Sequence, residues 1–200
     1  MKLLSVEQIK ELISTNIERQ DSCTLAISGG RSVRAVCRHL SHTKLDWGKV
    51  TVTTVDERCV NPCHVDSNQR QIHNILIQNN AKNCRLIPLD DWEITNYPDI
   101  AIFGMGTDGH FASLFPGMED NNDLFDLNHE PCVIKIEETD AIKHARLTMN
   151  LSFFIKIPTL ILVVSGGARK QVLYQAVTDG KYPIHKLLQY RNDLGVILQS

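Results

Sequence analysis

No apolar stretch of the 200-residue chain is long enough to cross a bilayer. The longest aliphatic run, Leu160–Val164, falls far short of the ~20 residues that a spanning helix needs. The opening residues MKLLSVEQIKELI contain no continuous apolar segment of the ~7–15 residues that marks a secretory signal, so a cytoplasmic protein without a membrane partner is expected. Basic tracts are absent too. Lys and Arg number 21 against 23 Asp and Glu, scattered to a net charge of −2, which gives no stripe able to neutralise the phosphates of a nucleic acid. Internal repeats, low-complexity segments and a linker are also missing, and the length suits one domain over residues 1–200. No G-x-S-x-G elbow occurs, which removes the usual serine nucleophile of an α/β hydrolase.

Cysteine is present but poorly placed for a framework. The six residues Cys23, Cys37, Cys59, Cys63, Cys84 and Cys132 are dispersed along a chain with no export signal, so reduced thiols are expected. Cys59-Val-Asn-Pro-Cys63-His64 gathers three soft ligands, yet no second Cys/His pair at zinc-finger spacing completes a four-coordinate site. Three residues separate these cysteines, where haem attachment needs two. Neither a metal nor a cofactor is expected.

What the chain does have is an alternation of short β-rich runs with helix-length segments. Leu4, Ile9, Leu12, Ile13 and Ile17 line one face of a surface helix. Strands are read at Cys23–Ser28, Val50–Val55, Asp99–Phe103, Val133–Ile136, Leu160–Val164 and Gly195–Leu198. Helices are read at Ser32–Leu40, Ser67–Gln78 and Ala168–Val177, with Asp66 or Ser67 capping the second. Polar Glu119–Asn128 reads as a loop. Unbroken aliphatic strands between helices indicate an α/β fold with a Rossmann-like, open, mainly parallel sheet and helices on both faces. Ligands of such a sheet collect at the C-terminal ends of its strands.

Three strand ends carry chemistry. After the first strand, Ser28-Gly29-Gly30-Arg31 leads into a helix; the glycines allow a tight turn that aims N–H groups at one point, and the helix N-terminus favours an anion. This suits a phosphate cradle, and it equally suits a Gly-Gly turn with no ligand. After the second strand come Asp56, Glu57 and Arg58, whose charges need partners if buried and none if the turn is solvated. The third end is Gly104-Met-Gly106-Thr-Asp108-Gly109-His110, which matches G-x-G-x-x-G. Pro116 stops any following helix after about two turns, and the acids near the required spacing lie in a polar loop, so a nicotinamide cofactor is not expected. What remains is Asp108 two residues from His110: a carboxylate able to fix the tautomer of an imidazole general base. Water is then the nucleophile.

Together the segments SGGRS, DERCVNPCHVDSNQR, GMGTDGHFASLFPG, HARLTMN and VSGGARKQVLYQAV resemble the 6-phosphogluconolactonase family, which is similar in fold to the glucosamine-6-phosphate deaminases. They occur in the family's order over most of the chain. The resemblance implies hydrolysis of 6-phospho-D-glucono-1,5-lactone, with the sugar-phosphate lactone as the small-molecule partner. It implies that His110 is the base with Asp108 beside it, that Arg58 faces the lactone or the phosphate, and that Asp56 orders the site. It implies a phosphate site at Ser28, Gly29, Gly30 and Arg31, with Arg146 and Lys170 as further cations, in a monomer or small homo-oligomer.

Departures from the family pattern are Cys59 in place of an aromatic residue, Asn61 in place of a proline and Phe111 in place of a threonine. The segment DDWEITNYP before Asp99 is short where relatives usually carry another helix. Two rival functions follow. A deaminase–isomerase has a loop like D-G-H-I-A-F-N-E-P, whose glutamate is missing from Asp108-Gly-His-Phe-Ala-Ser-Leu-Phe-Pro116. A non-catalytic sugar-phosphate sensor would keep the cradle and tolerate loss of His110.

Overall fold

The computed structural model describes residues 1–93 and 95–199. In chain order the strands and helices are β1 (Lys2–Leu3), α1 (Val6–Gln20), β2 (Cys23–Ile27), α2 (Arg31–Ser41), β3 (Val50–Thr54), β4 (Asp56–Arg58), α3 (Asn68–Ile75), β5 (Arg85–Leu86), β6 (Ile100–Gly104), α4 (Asn122–Phe125), β7 (Val133–Ile136), β8 (Arg146–Met149), α5 (Leu151–Lys156), β9 (Thr159–Ser165), α6 (Gly167–Ala176), α7 (Pro183–Tyr190) and β10 (Gly195–Gln199). Seven strands form one sheet in the order β1-β10-β9-β6-β2-β3-β5, every neighbouring pair parallel. The expected α/β architecture is present.

Period-two alternation in the central strands explains why both faces are covered. Leu25 and Ile27 of β2 point into a core built with Ile9 and Ile13 of α1 and with Val33, Val36 and Leu40 of α2. Ala26 between them points the other way, into a core holding Phe153 and Phe154 of α5, Leu173 of α6 and Leu187 of α7. A strand apolar on both sides has no solvent face to give up, which is why β2, β6 and β9 read as unbroken aliphatic runs.

Helices α5 and α7 and strands β1, β4, β5 and β8 were not read from the sequence, and three of the segments that were read differ in detail. Val133–Ile136 is a strand with the expected bounds, but it belongs to a second, antiparallel sheet ordered β4-β8-β7. Glu119–Asn128 contains one helical turn, α4, capped by the Asn121 side chain on the N–H of Asp123. The helix expected to reach Gln78 stops at Ile75 and is followed by a 3-10 turn at Asn79–Ala81, where Asn79 has φ 53°. Ser67 caps its start, accepting from Arg70 N–H at 3.1 Å. Of the short segment before Asp99, Leu89–Asp91 is a 3-10 turn, and Ile94 lies outside the described residues.

The strand order places the functional loops. From β2 the chain moves to β3 and β5 on one side, then returns to β6 on the other, so a crevice opens where the direction of winding reverses. The ends of β2 and β6 are stitched there: Gly104 N–H donates to Ser28 Oγ at 3.0 Å, and Ser28 N–H to the Ile102 carbonyl at 3.0 Å.

Candidate active site

A cavity of about 350 Å³ occupies this crevice. Ser28, Gly29, Gly30, Arg31, Asp56, Arg58, His110 and Arg146 all line it, so the three strand ends and HARLTMN, spread over more than 100 residues of the chain, meet at one place. Asp108 stands behind His110. Lys170 does not line the cavity; its neighbour Arg169 does.

The loop after β6 is folded around its histidine. His110 Nδ1 lies 2.6 Å from Asp108 Oδ1, and the His110 backbone N–H reaches the same oxygen at 3.3 Å. A carboxylate oxygen can only accept, so the ring proton sits on Nδ1 and the lone pair on Nε2 is left for substrate. The hydrogen bond from His110, more than any other influence, holds the Asp108 carboxyl below its usual range. Phe115 flanks the imidazole at 4.8 Å between ring centroids. Gly106 makes the arrangement sterically feasible, because a Cβ at that position would overlap both the Asp108 carboxylate and the His110 ring.

The Ser28–Arg31 turn takes the tight glycine conformation that its sequence suggests. Gly30 has φ 97°, a conformation open to glycine, and precedes α2 with no side chain capping the helix N-terminus. The first-turn N–H groups are therefore left for a ligand. From the far side, Arg169 enters the cavity, anchored by Nε on the Met105 carbonyl at 2.9 Å. Its signal was present in the sequence as a second Gly-Gly followed by a helix; choosing between Arg169 and Lys170 required the phase of α6.

Strand β4 divides its charges by face. Glu57 points away from the cavity and accepts from Asn68 N–H at 2.7 Å and Gln69 N–H at 2.6 Å, fixing the start of α3. Asp56 and Arg58 point inward. Asp56, only 4% exposed, accepts from Ser113 Oγ at 2.7 Å and lies 3.8 Å from Arg146. Asn68 donates to the Asp56 carbonyl at 2.8 Å, a bracing role that sequence reading missed. Arg58 Nη1 donates to the Asp66 carbonyl at 2.6 Å.

Burial, then the neighbouring Arg58 charge, pushes the Arg146 guanidinium below its ordinary value against the pull of Asp56. The buried Nε atoms of both arginines have no hydrogen-bond partner. Four arginines and one buried aspartate thus face the cavity, a surplus of positive charge awaiting an anion. The substitutions noted in the sequence lie elsewhere: Phe111 is fully buried and packs on Phe103 and Phe154, while Cys59 is exposed.

An imidazole held by a carboxylate within an arginine-rich crevice, at the switch point of a parallel sheet, is the arrangement of an α/β enzyme site suited to a small anionic substrate. Residues 4–96 and 89–194 match the family described as glucosamine-6-phosphate isomerases/6-phosphogluconolactonase. A 6-phosphogluconolactonase of Helicobacter pylori is 33% identical over 91% of this chain and 86% of its own length. One from Rhizobium meliloti is 34% identical over 88% of this chain and 84% of its own. The crystal structure of a 6-phosphogluconolactonase from Shewanella baltica superposes with a TM-score of 0.87 at 24% identity, covering 100% of this chain and 97% of that one. The chain belongs to the glucosamine-6-phosphate isomerase/6-phosphogluconolactonase family.

Proposed function

We propose that this protein is a 6-phosphogluconolactonase, hydrolysing 6-phospho-D-glucono-1,5-lactone to 6-phospho-D-gluconate in the oxidative pentose phosphate pathway. The observation that carries the reading is the 2.6 Å His110–Asp108 contact beside an arginine-lined cavity. A lactone is an internal ester, so its opening needs a water, a base and a partner for the charge that develops on the carbonyl oxygen. His110 Nε2 removes the proton as water attacks C1, and Asp108 stabilises the imidazolium so formed. Arg58 faces the developing oxyanion. The tetrahedral intermediate collapses with cleavage of the bond from C1 to the ring oxygen, which takes back the proton from His110. The carboxylic acid so formed releases its remaining proton to solvent, leaving a carboxylate and a free hydroxyl.

The phosphate end is assigned to the Ser28–Arg31 turn and Arg146, with Arg169 rather than Lys170 completing the cation set. Remote phosphate binding supplies orientation at C1. Asp56 holds Ser113, Asn68 and Arg146 in register from below. A soluble cytoplasmic enzyme folded as one domain accompanies this reading.

Lactone hydrolysis followed against the spontaneous background tests it. The enzyme accelerates the reaction, and Arg146→Ala raises KM for the phosphorylated lactone far more than for the unphosphorylated one. Absence of acceleration by the wild-type protein sinks the proposal.

A further inference from the structure

Outside the cavity, two histidines and an aspartate from distant parts of the sequence converge. His64 and Asp66 lie in the loop between β4 and α3, and His144 lies just before β8; one donor atom from each falls within 4.8 Å of the others. The β4–β8 ladder brings the two segments together, extended by Cys59 N–H donating to the Ala145 carbonyl at 2.8 Å. None of the three lines the substrate cavity. We propose that His64, Asp66 and His144 form a binding site for a transition-metal dication of the Zn²⁺ or Co²⁺ type, separate from the lactone chemistry.

The donor set is the first reason. Two imidazoles and a carboxylate are borderline ligands suited to these ions, which they hold at ~2.0–2.2 Å. Tetrahedral ligands at that radius stand ~3.3–3.6 Å apart. The pairs here bracket that value, with His144 Nε2 at 2.9 Å and His64 Nδ1 at 3.9 Å from Asp66 Oδ2. Small side-chain rotations therefore close the triangle.

Preorganisation is the second. His64 Nδ1 accepts from the Asp66 backbone N–H at 3.1 Å, which fixes the ring beside the cluster; a metal takes that lone pair in place of this hydrogen bond. The His64 and His144 rings meet edge to face at 5.5 Å, and the Asp66 backbone is pinned through its carbonyl by Arg58. Two hydrogen bonds to Asp66 Oδ2 give way: one from His144 Nε2 at 2.9 Å, whose proton the metal replaces, and one from Lys143 Nζ at 2.9 Å on a side chain that is 75% exposed. The other His/Cys/Asp grouping, around His129, is committed differently. There the Nδ1 donates to the Glu130 carbonyl at 2.9 Å, leaving its lone pair at Nε2 against Asp123, while burial pushes the Cys132 thiol up.

Titration of the purified protein with Co²⁺ alone, followed by visible absorption, and with Zn²⁺ alone, by calorimetry, tests the site. One equivalent should bind. His64→Ala and His144→Ala should each weaken it about 10-fold or more, and Lys143→Ala should tighten it by freeing the carboxylate. The double variant Cys59→Ser/Cys63→Ser should bind as wild type does. If His144→Ala does not fold, His144→Gln takes its place. Absence of stoichiometric binding, binding that survives loss of His144, failure of Lys143→Ala to tighten it, or loss of binding with the two cysteines overturns the proposal.

Discussion

Arg58 and Arg146 are paired directly across β4 and β8, cation opposite cation in an antiparallel ladder. Like charges so placed destabilise a strand pair, and Asp56 at 3.8 Å from Arg146 offsets only part of the repulsion. Arg146→Met should therefore leave the urea midpoint of the free protein unchanged or raised, since Asp56 keeps its hydrogen bonds from Ser113 and Asn68. Inorganic phosphate should raise the Tm of the wild type and raise that of the variant less. Equal shifts in the two proteins contradict an anion site between these arginines.

Replacing His110 by Ala removes the base while leaving the cations in place. The expected result is a fall in kcat of about 10²–10⁴ with KM little altered. A full rate in His110→Ala refutes the base assignment without touching the family assignment.

Asp108→Asn should cost activity and make stability respond to acid differently. The folded carboxyl binds its proton more weakly than the unfolded one, whose pKa is 3.8. Its stabilisation is thus complete above that value and disappears as pH falls through the lower folded value. The Tm gap between wild type and Asp108→Asn should be constant near neutrality and close on acidification below pH 3.8. A gap that widens in acid would mean that the carboxyl is protonated in the folded state.

Gly106→Ala should separate the base from its support, because the added methyl overlaps both side chains of the pair. Displacement of a catalytic group by about 1 Å can cost ~10²-fold in rate. Steady-state kinetics on the folded variant should show at least that loss.

Phe111→Ala should act on stability and spare substrate binding. The side chain is fully buried among Phe103 and Phe154, so denaturant unfolding should show a loss of about 3–5 kcal/mol. A raised KM at unaltered stability would place the ring in the pocket instead.

The parallel sheet was legible because strands buried on both faces must be apolar throughout, as Leu160–Val164 is. The second sheet was not. Arg146–Met149 alternates too briefly to announce a strand, and its partner β4 is only three residues of charge, Asp56–Arg58, whose pairing exists solely in three dimensions. Within the site, the Gly-rich turns and the Asp108–His110 spacing were local and readable. Asn68 was hidden in a helix start, and Arg169 was separated from Lys170 only by helix phase. His144, 80 residues from His64, was invisible to any search for ligand spacing, because the ladder that joins them is the one the sequence concealed.

That division into two sheets has a dynamic consequence. His110 is mounted on a loop of a seven-stranded lattice, whereas Arg58 and Arg146 ride on a three-stranded fragment whose outer strand, β7, is half-buried. Amide protons of β7 and β8 should therefore exchange with solvent through partial openings that leave β2, β6 and β9 closed. Such an excursion carries Arg58 and Arg146 away from His110, so turnover should depend on the integrity of the smallest sheet.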